Sequence, residues 1–353
     1  MAINIKEFHI GHYRGISDLS LKDLNHINVL TGKNDTGKTS ILELIGTISN
    51  PLRSDIWQSV STGSHFGGTS IYEELMRMFP YGQDDKIIDY DYTNKDNQQH
   101  IISLSADISQ SLVSQKELMR LNGYVREGDR EPTDDDMMPS RLLQMHISKD
   151  DKTSDFSVFD VQQAMKTPKD KSFDINILYI GPQVTIIRNY LYLAQVLMMP
   201  EFKKSMVGLL KCYDNNITGF ELIDRECFLQ LGNKAEMVPL SLFGDGIKKA
   251  VDIVAATFLV HNGILLIDEI ENSIHPTVIK ATLQWLVETA LANNVQVFMS
   301  THSMDTLLDI CSLSDDYKEK VNIYTLYHND TIHVRKMNAV KASEVVKMGV
   351  SLL

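Results

Sequence analysis

Ile27-Asn28-Val29-Leu30-Thr31-Gly32-Lys33-Asn34-Asp35-Thr36-Gly37-Lys38-Thr39-Ser40-Ile41-Leu42-Glu43-Leu44-Ile45 decides how the chain folds. Ile27–Leu30 is a short apolar run, Thr31–Ser40 is punctuated by Gly32 and Gly37, and Ile41–Ile45 has helical character. The order is strand, glycine loop, helix. Gly32 through Thr39 fits G-x-x-x-x-G-K-[ST], in which successive backbone N–H groups cradle phosphates. Lys38 would reach the terminal phosphates and the Thr39 hydroxyl would meet Mg²⁺, with Asn34, Gly37 and Ser40 in the same nucleotide-binding loop. An ordinary glycine-rich turn is the competing reading; its placement between a strand and a helix argues against it.

Three further segments complete a site around that loop. Gly263-Ile264-Leu265-Leu266-Ile267-Asp268-Glu269 is an apolar strand ending in two acids. Buried strands often end in solvated carboxylates, yet a phosphate loop needs one carboxylate for Mg²⁺ and gains from a second that polarises water. Asp268 is assigned the metal and Glu269 the water. Val295-Gln296-Val297-Phe298-Met299 is another apolar strand and leads into Ser300-Thr301-His302-Ser303. Alone, His302 reads as a turn residue; beside a terminal phosphate its imidazole could donate a hydrogen bond to that group or to the attacking water. Ser241-Leu242-Phe243-Gly244-Asp245-Gly246 opens a helix with Ile247, Ala250, Val251, Val254 and Phe258 at core spacing. Its N-terminus is either a simple cap or an anion site. Because the first loop already holds its own nucleotide, Ser241, Gly244 and Gly246 are expected to contact the nucleotide of a neighbouring chain.

Strands alternating with helices after residue 239 imply a largely parallel sheet. The expected organisation is a head made of 1–50 and 175–353, an inserted α+β segment at 51–174, and a helical insertion at 183–238. Ile175–Ile180 reads as a strand, and the acidic stretch 126–136 as a solvated loop. About fifty residues follow His302, room for a terminal strand and helix.

Composition narrows the function. Hydrophobic residues at 43% and charged residues at 23% exclude a disordered or collagenous chain. Thirty-four Lys and Arg against forty-six Asp and Glu give a net charge of −12, which excludes coating a nucleic acid by global charge. Nucleic acid could be held only by local groups such as Lys166, Lys169 and Lys171, or Lys203, Lys204 and Lys211. Cys212, Cys227 and Cys311 form no CxxC and no Cys/His cluster, which fits a reduced interior. No apolar run reaches the ~18 residues of a membrane span, and the chain is expected to be soluble and cytoplasmic.

Together these motifs, with Glu271-Asn272-Ser273-Ile274-His275 after the acidic pair, resemble the ABC-class ATPase heads of the SMC, RecF and OLD group, and most of all OLD-like AAA ATPases, many of them in bacterial anti-phage systems. The resemblance covers about 1–50 and 175–353. It implies an α/β ABC-type P-loop head with a mixed, largely parallel sheet flanked by helices, ATP and Mg²⁺ as cofactors, and a dimer or higher oligomer built through an ATP sandwich. Tyr13-Arg14-Gly15 matches the group's aromatic-Arg-Gly element, where Arg14 could reach a phosphate. Departures matter too. The Leu-Ser-Gly-Gly-Gln of transporter subunits is absent at 241–246, no heptad arm is present, and the Q-loop glutamine is not placed, with Gln183 the nearest residue. The reading that follows is an ATP-hydrolysing switch controlling a separately encoded effector, a nuclease or toxin; a DNA-clamping repair or chromosome-maintenance ATPase and a transporter subunit are the alternatives.

Overall fold

A computed structural model of the chain describes residues 3–62, 70–122, 137–163, 172–181, 190–232 and 236–352. The stretch 126–136, Gln183, Lys166, Lys169 and Lys171 lie outside the described residues. The chain opens with strands β1 (Ile5–Tyr13), β2 (Ile16–Leu21) and β3 (Ile27–Gly32), then helices α1 (Lys38–Thr47), α2 (Ser54–Thr62) and α3 (Ile71–Met76). Next come β4 (Ile87–Asn94), β5 (Gln99–Ser114), α4 (Gln115–Leu121), β6 (Met137–Lys149), β7 (Lys152–Phe159) and β8 (Ile177–Ile180). The segment expected to be helical holds α5 (Tyr190–Leu197) and α6 (Pro200–Tyr213), and also a meander of β9 (Ile217–Ile223), β10 (Glu226–Leu231) and β11 (Glu236–Pro239). Then follow α7 (Asp245–Leu259), β12 (Ile264–Ile267), α8 (Pro276–Ala292) and β13 (Gln296–Thr301). Beyond His302 the chain forms α9 (Met304–Cys311), α10 (Asp315–Lys318), β14 (Val321–Asn329), β15 (Thr331–Asn338) and α11 (Ala339–Lys347), more than the single strand and helix expected there. Short helices and a tight hairpin account for the difference.

The main sheet has the order β15-β14-β3-β13-β12-β8, parallel except for β15. Its central strands are buried on both faces, which is why they read as unbroken apolar runs in the sequence. Alternation splits each strand between two cores: Leu265, Ile267, Val297 and Met299 join the core under α7 and α8, whereas Ile264, Leu266 and Phe298 face α1.

On the far side of α1 lies a second, antiparallel sheet of order β2-β1-β4-β5-β6-β7. Segment 51–174 therefore does not stand apart from the N-terminus, because β4 pairs directly with β1, Phe8 opposite Tyr92 and Ile10 opposite Tyr90. Ile41, Leu42, Leu44 and Ile45 of α1 are packed between the two sheets, and none of its residues is exposed. This arrangement fixes the glycine loop at the carboxyl ends of the parallel strands, where open α/β sheets bind ligands. Among the described residues no helix is long and apolar enough to cross a membrane.

Candidate functional site

The glycine loop is shaped by close approach. A Cβ on Gly32 would lie 2.2 Å from the Leu326 carbonyl oxygen of the neighbouring strand, and its φ is +141°, so the position is closed to other residues. From there the loop climbs to Gly37, the left-handed N-cap of α1. Asn34, Asp35, Thr36, Gly37, Lys38, Thr39 and Ser40 line one side of a cavity of about 400 Å³; Asp268, Glu269, Ser300 and His302 line the other. Thus the loop, the acidic pair after β12 and the histidine after β13 meet in one place because β3, β13 and β12 are adjacent parallel strands in register.

Asp268 is the centre of the polar network. It is 4% exposed. Its Oδ2 accepts hydrogen bonds from Thr39 Oγ1 at 2.9 Å and from the Tyr179 hydroxyl at 3.2 Å, and its Oδ1 accepts one from Ser300 Oγ. Three hydroxyls thereby hold one carboxylate in a single orientation. Burial, together with the Asp268 and Glu43 charges and the bond to Asp268, pushes the Tyr179 phenol far above its ordinary value, so it serves as a neutral donor. Ser300 also accepts the Glu269 N–H at 2.8 Å, holding Glu269 at φ +48° as the chain leaves β12. The turn gives Glu269 a direction different from that of Asp268, and its side chain is 40% exposed to the cavity.

The Lys38 ammonium donates to the carbonyl oxygens of Gly32 at 2.9 Å and Lys33 at 2.6 Å. Burial lowers its pKa, while the carboxylates of Asp268, Glu269, Glu271 and Asp35 act in the opposite direction. His302 Nδ1 sits 3.3 Å from Glu271 Oε1 and 3.8 Å from Glu269 Oε1. Among the described residues no cluster of three or more His, Cys, Asp or Glu is built to cage a metal. Mg²⁺ is usually held by one or two carboxylates together with substrate phosphates. The hard oxygen donors Thr39 Oγ1 and Asp268 fit such an ion.

Gly32 is not among the residues that line this cavity, and two further expected groups do not line it either. Arg14 places Nη1 2.5 Å from Glu43 Oε2 and donates to Ser40 Oγ at 3.3 Å, beside the first turns of α1. Glu43 is 3% exposed, and a carboxylate so deeply buried needs a cation, so the guanidinium is engaged there. Ser241 and Gly244 form an exposed surface, with Leu242 76% exposed beside them. Gly244 is the N-cap of α7, and no side chain caps that helix; the Ser241 hydroxyl instead reaches Glu226 at 3.3 Å. A Cβ on Gly246 would come within 2.7 Å of the Ser273 carbonyl oxygen, so this glycine packs on the turn that follows Glu271.

The fold is similar to the head domain of an SMC protein solved bound to the C-winged helix domain of ScpA, with a TM-score of 0.52 at 11% identity, covering 97% of this chain and all of that one. The fold is that of an SMC-type ATPase head. A second SMC head, from Pyrococcus furiosus and bound to the C-terminal domain of ScpA, matches at 0.50 and 9% identity, covering 98% of this chain and 99% of that one. Residues 215–309 match the family described as "AAA domain, putative AbiEii toxin, Type IV TA system". That match spans both the acidic pair and His302. In sequence the chain is similar to a protein of Helicobacter pylori named ATP/GTP phosphatase, at 23% identity over 92% of this chain and 93% of that one. Residues 215–309 thus match an AAA-domain family model within a chain that has the fold of an SMC head.

In this head, sequence reasoning missed Tyr179, Ser300 and the pairing of Glu271 with His302. Tyr179 contributes through register: Tyr179 stands opposite Leu266, two residues before Asp268. A serine or tyrosine at a strand end carries no signal of that kind until the neighbouring strand is known.

Proposed function

We propose that this chain binds ATP with Mg²⁺ and hydrolyses it as a head-to-tail dimer whose nucleotide state controls a separately encoded effector, a nuclease or toxin, in bacterial anti-phage defence. The observation that carries the ATPase reading is the convergence of Lys38, Thr39, Asp268, Glu269 and His302 on one cavity. Lys38 and the loop N–H groups bind the phosphates, and Asp268 holds the Thr39 hydroxyl in place for a bound cation. Mg²⁺, when bound, neutralises charge that builds on the phosphates. Glu269, exposed to the cavity, orients the attacking water and takes its proton. His302 stands across from the loop and accepts a second hydrogen bond from that water, fixing its line of attack.

The uncapped, exposed N-terminus of α7 supports the dimer. It lies outside its own chain's cavity, and its positive helix end suits the phosphates of a second chain. A name given to the H. pylori relative, ATP/GTP phosphatase, supports hydrolysis, and the toxin–antitoxin description of the matched family supports an effector role. Phosphate release measured beside oligomeric state, with and without Mg-ATP, tests the reading: a monomer that never turns over ATP would remove it.

The SMC-head fold favours a second reading, a chromosome-maintenance ATPase that clamps DNA. The net charge of −12 opposes it. Lys203, one of the candidate basic groups, is already paired with Glu221 at 2.8 Å. DNA retention at about 150 mM salt, sensitive to ionic strength, would select this reading, whereas co-purification with a neighbouring gene product would select the first.

A further inference from the structure

Glu271 lies three residues beyond Asp268, at the edge of the site, and nothing above gives it a task. Its Oε1 accepts the backbone N–H of His302 at 3.0 Å and stands 3.3 Å from Nδ1 of the same residue. One carboxylate oxygen therefore addresses both the main chain and the ring of His302. Glu269, the water-orienting candidate, is further from that ring, at 3.8 Å. The other oxygen of Glu271, Oε2, is buried without a hydrogen-bond partner. Leaving a buried carboxylate oxygen unsatisfied costs stability, so the packing of the turn does not by itself explain the residue.

We propose that Glu271 is a positioning residue that fixes the orientation and tautomer of His302. A carboxylate only accepts, so its neighbour Nδ1 carries the proton and Nε2 is the nitrogen left for the cavity. The ring is thereby held with its reactive nitrogen toward the phosphate loop, as a buried acid orients the imidazole of a hydrolase triad. The backbone bond adds a second constraint: it sets the height at which the chain leaves β13, and hence where the ring begins. Glu269 is then released from holding His302 and can serve the water alone. The inference rests on the ATPase reading for its kinetic consequence, but its structural content concerns only Glu271 and His302.

Three variants and one spectrum test it. Glu271→Ala should lower kcat by roughly 10- to 100-fold, below the full loss expected for removing a general acid or base, with KM for ATP unchanged and no fall in melting temperature. Glu271→Gln keeps an accepting oxygen and should recover most of that loss. The double variant Glu271→Ala/His302→Ala should be no slower than His302→Ala alone, because one acts through the other. Long-range ¹H–¹⁵N spectra of the imidazole should show a protonated Nδ1 and a bare Nε2 in the wild type, and a mixture of tautomers in Glu271→Ala. Additive losses in the double variant, or an unchanged His302 tautomer in Glu271→Ala, would overturn the proposal. If the wild type does not hydrolyse ATP at all, the ATPase reading fails, while the spectrum still decides whether Glu271 sets the tautomer.

Discussion

Thr39 Oγ1 donates a 2.9 Å hydrogen bond to Oδ2 of Asp268, joining the first turn of α1 to the end of β12. Because Tyr179 donates to the same oxygen, Asp268 is oriented from both sides. Asp268→Asn would put either an amide nitrogen or a neutral oxygen where this charge stands. Its Mg²⁺-dependent gain in ATP affinity should largely disappear, by about 1–3 kcal/mol for a lost charged hydrogen-bond acceptor. Fluorescent-nucleotide titrations with Mg²⁺ and with chelator measure the gain, and an undiminished gain would remove Asp268 from the metal site.

Glu269→Gln should bind ATP as the wild type does and hydrolyse it about 10²- to 10⁴-fold more slowly, since the amide cannot take the water's proton. The Asp268 network is untouched by the change. The variant should accumulate as an ATP-bound dimer in light scattering, and full turnover in a phosphate-release assay would end the assignment.

Lys38→Ala and His302→Ala should separate binding from turnover. Lys38 is embedded in the glycine loop; in the proposed role it meets ground-state phosphate, so its loss should weaken ATP binding at least about tenfold. His302→Ala should keep affinity and lose turnover by ~10²-fold or more. Equal affinity losses in both would make His302 a structural residue.

His9, on β1, lies 2.8 Å from Asp91 and 3.2 Å from Asp18. Partial burial opposes its charge, yet the hydrogen bonds to Asp91 and Asp18 prevail and raise its pKa above 6.5. A raised folded pKa adds stability that is fully present below the ordinary histidine value and is lost as the pH rises through the folded one. The pair is well solvated, so the effect is small. Melting of His9→Ala should trail the wild type by no more than about 2 °C below pH 6 and converge with it in mild alkali. A gap that widens with pH would contradict the sign.

Much of this was readable from the residues, and for a physical reason. Strands β3, β12 and β13 are buried on both faces, so their apolar runs are unbroken and end sharply where the site begins. The second sheet was hidden because β5 and β6 extend past the core, with Ile101 at 59% and Leu112 at 58% exposed, so their apolar residues do not keep to one face. The β9–β11 meander was absorbed into the helical reading because the buried residues of β9, Ile217 and Phe220, stand three apart, a helical spacing. Arg14 was read toward phosphate from the resemblance of Tyr13-Arg14-Gly15 to a family element; its partner here, Glu43, looks in sequence like one more polar residue on a helix. Only the fold shows that this helix has no solvent side.

That last feature limits how the protein can change. Since α1 has a sheet on each side, Ile41, Leu42, Leu44 and Ile45 each answer to packing from both layers, and a change in one of them calls for a matching change in its neighbours. A bulky label, a tag or a cysteine for spectroscopy has no tolerated place in the buried stretch Ile41–Ile45. The same confinement ties the layers together: the helix after the glycine loop shares one core with strands of the first 21 residues and of 87–159, so a shift of either sheet is felt at the loop.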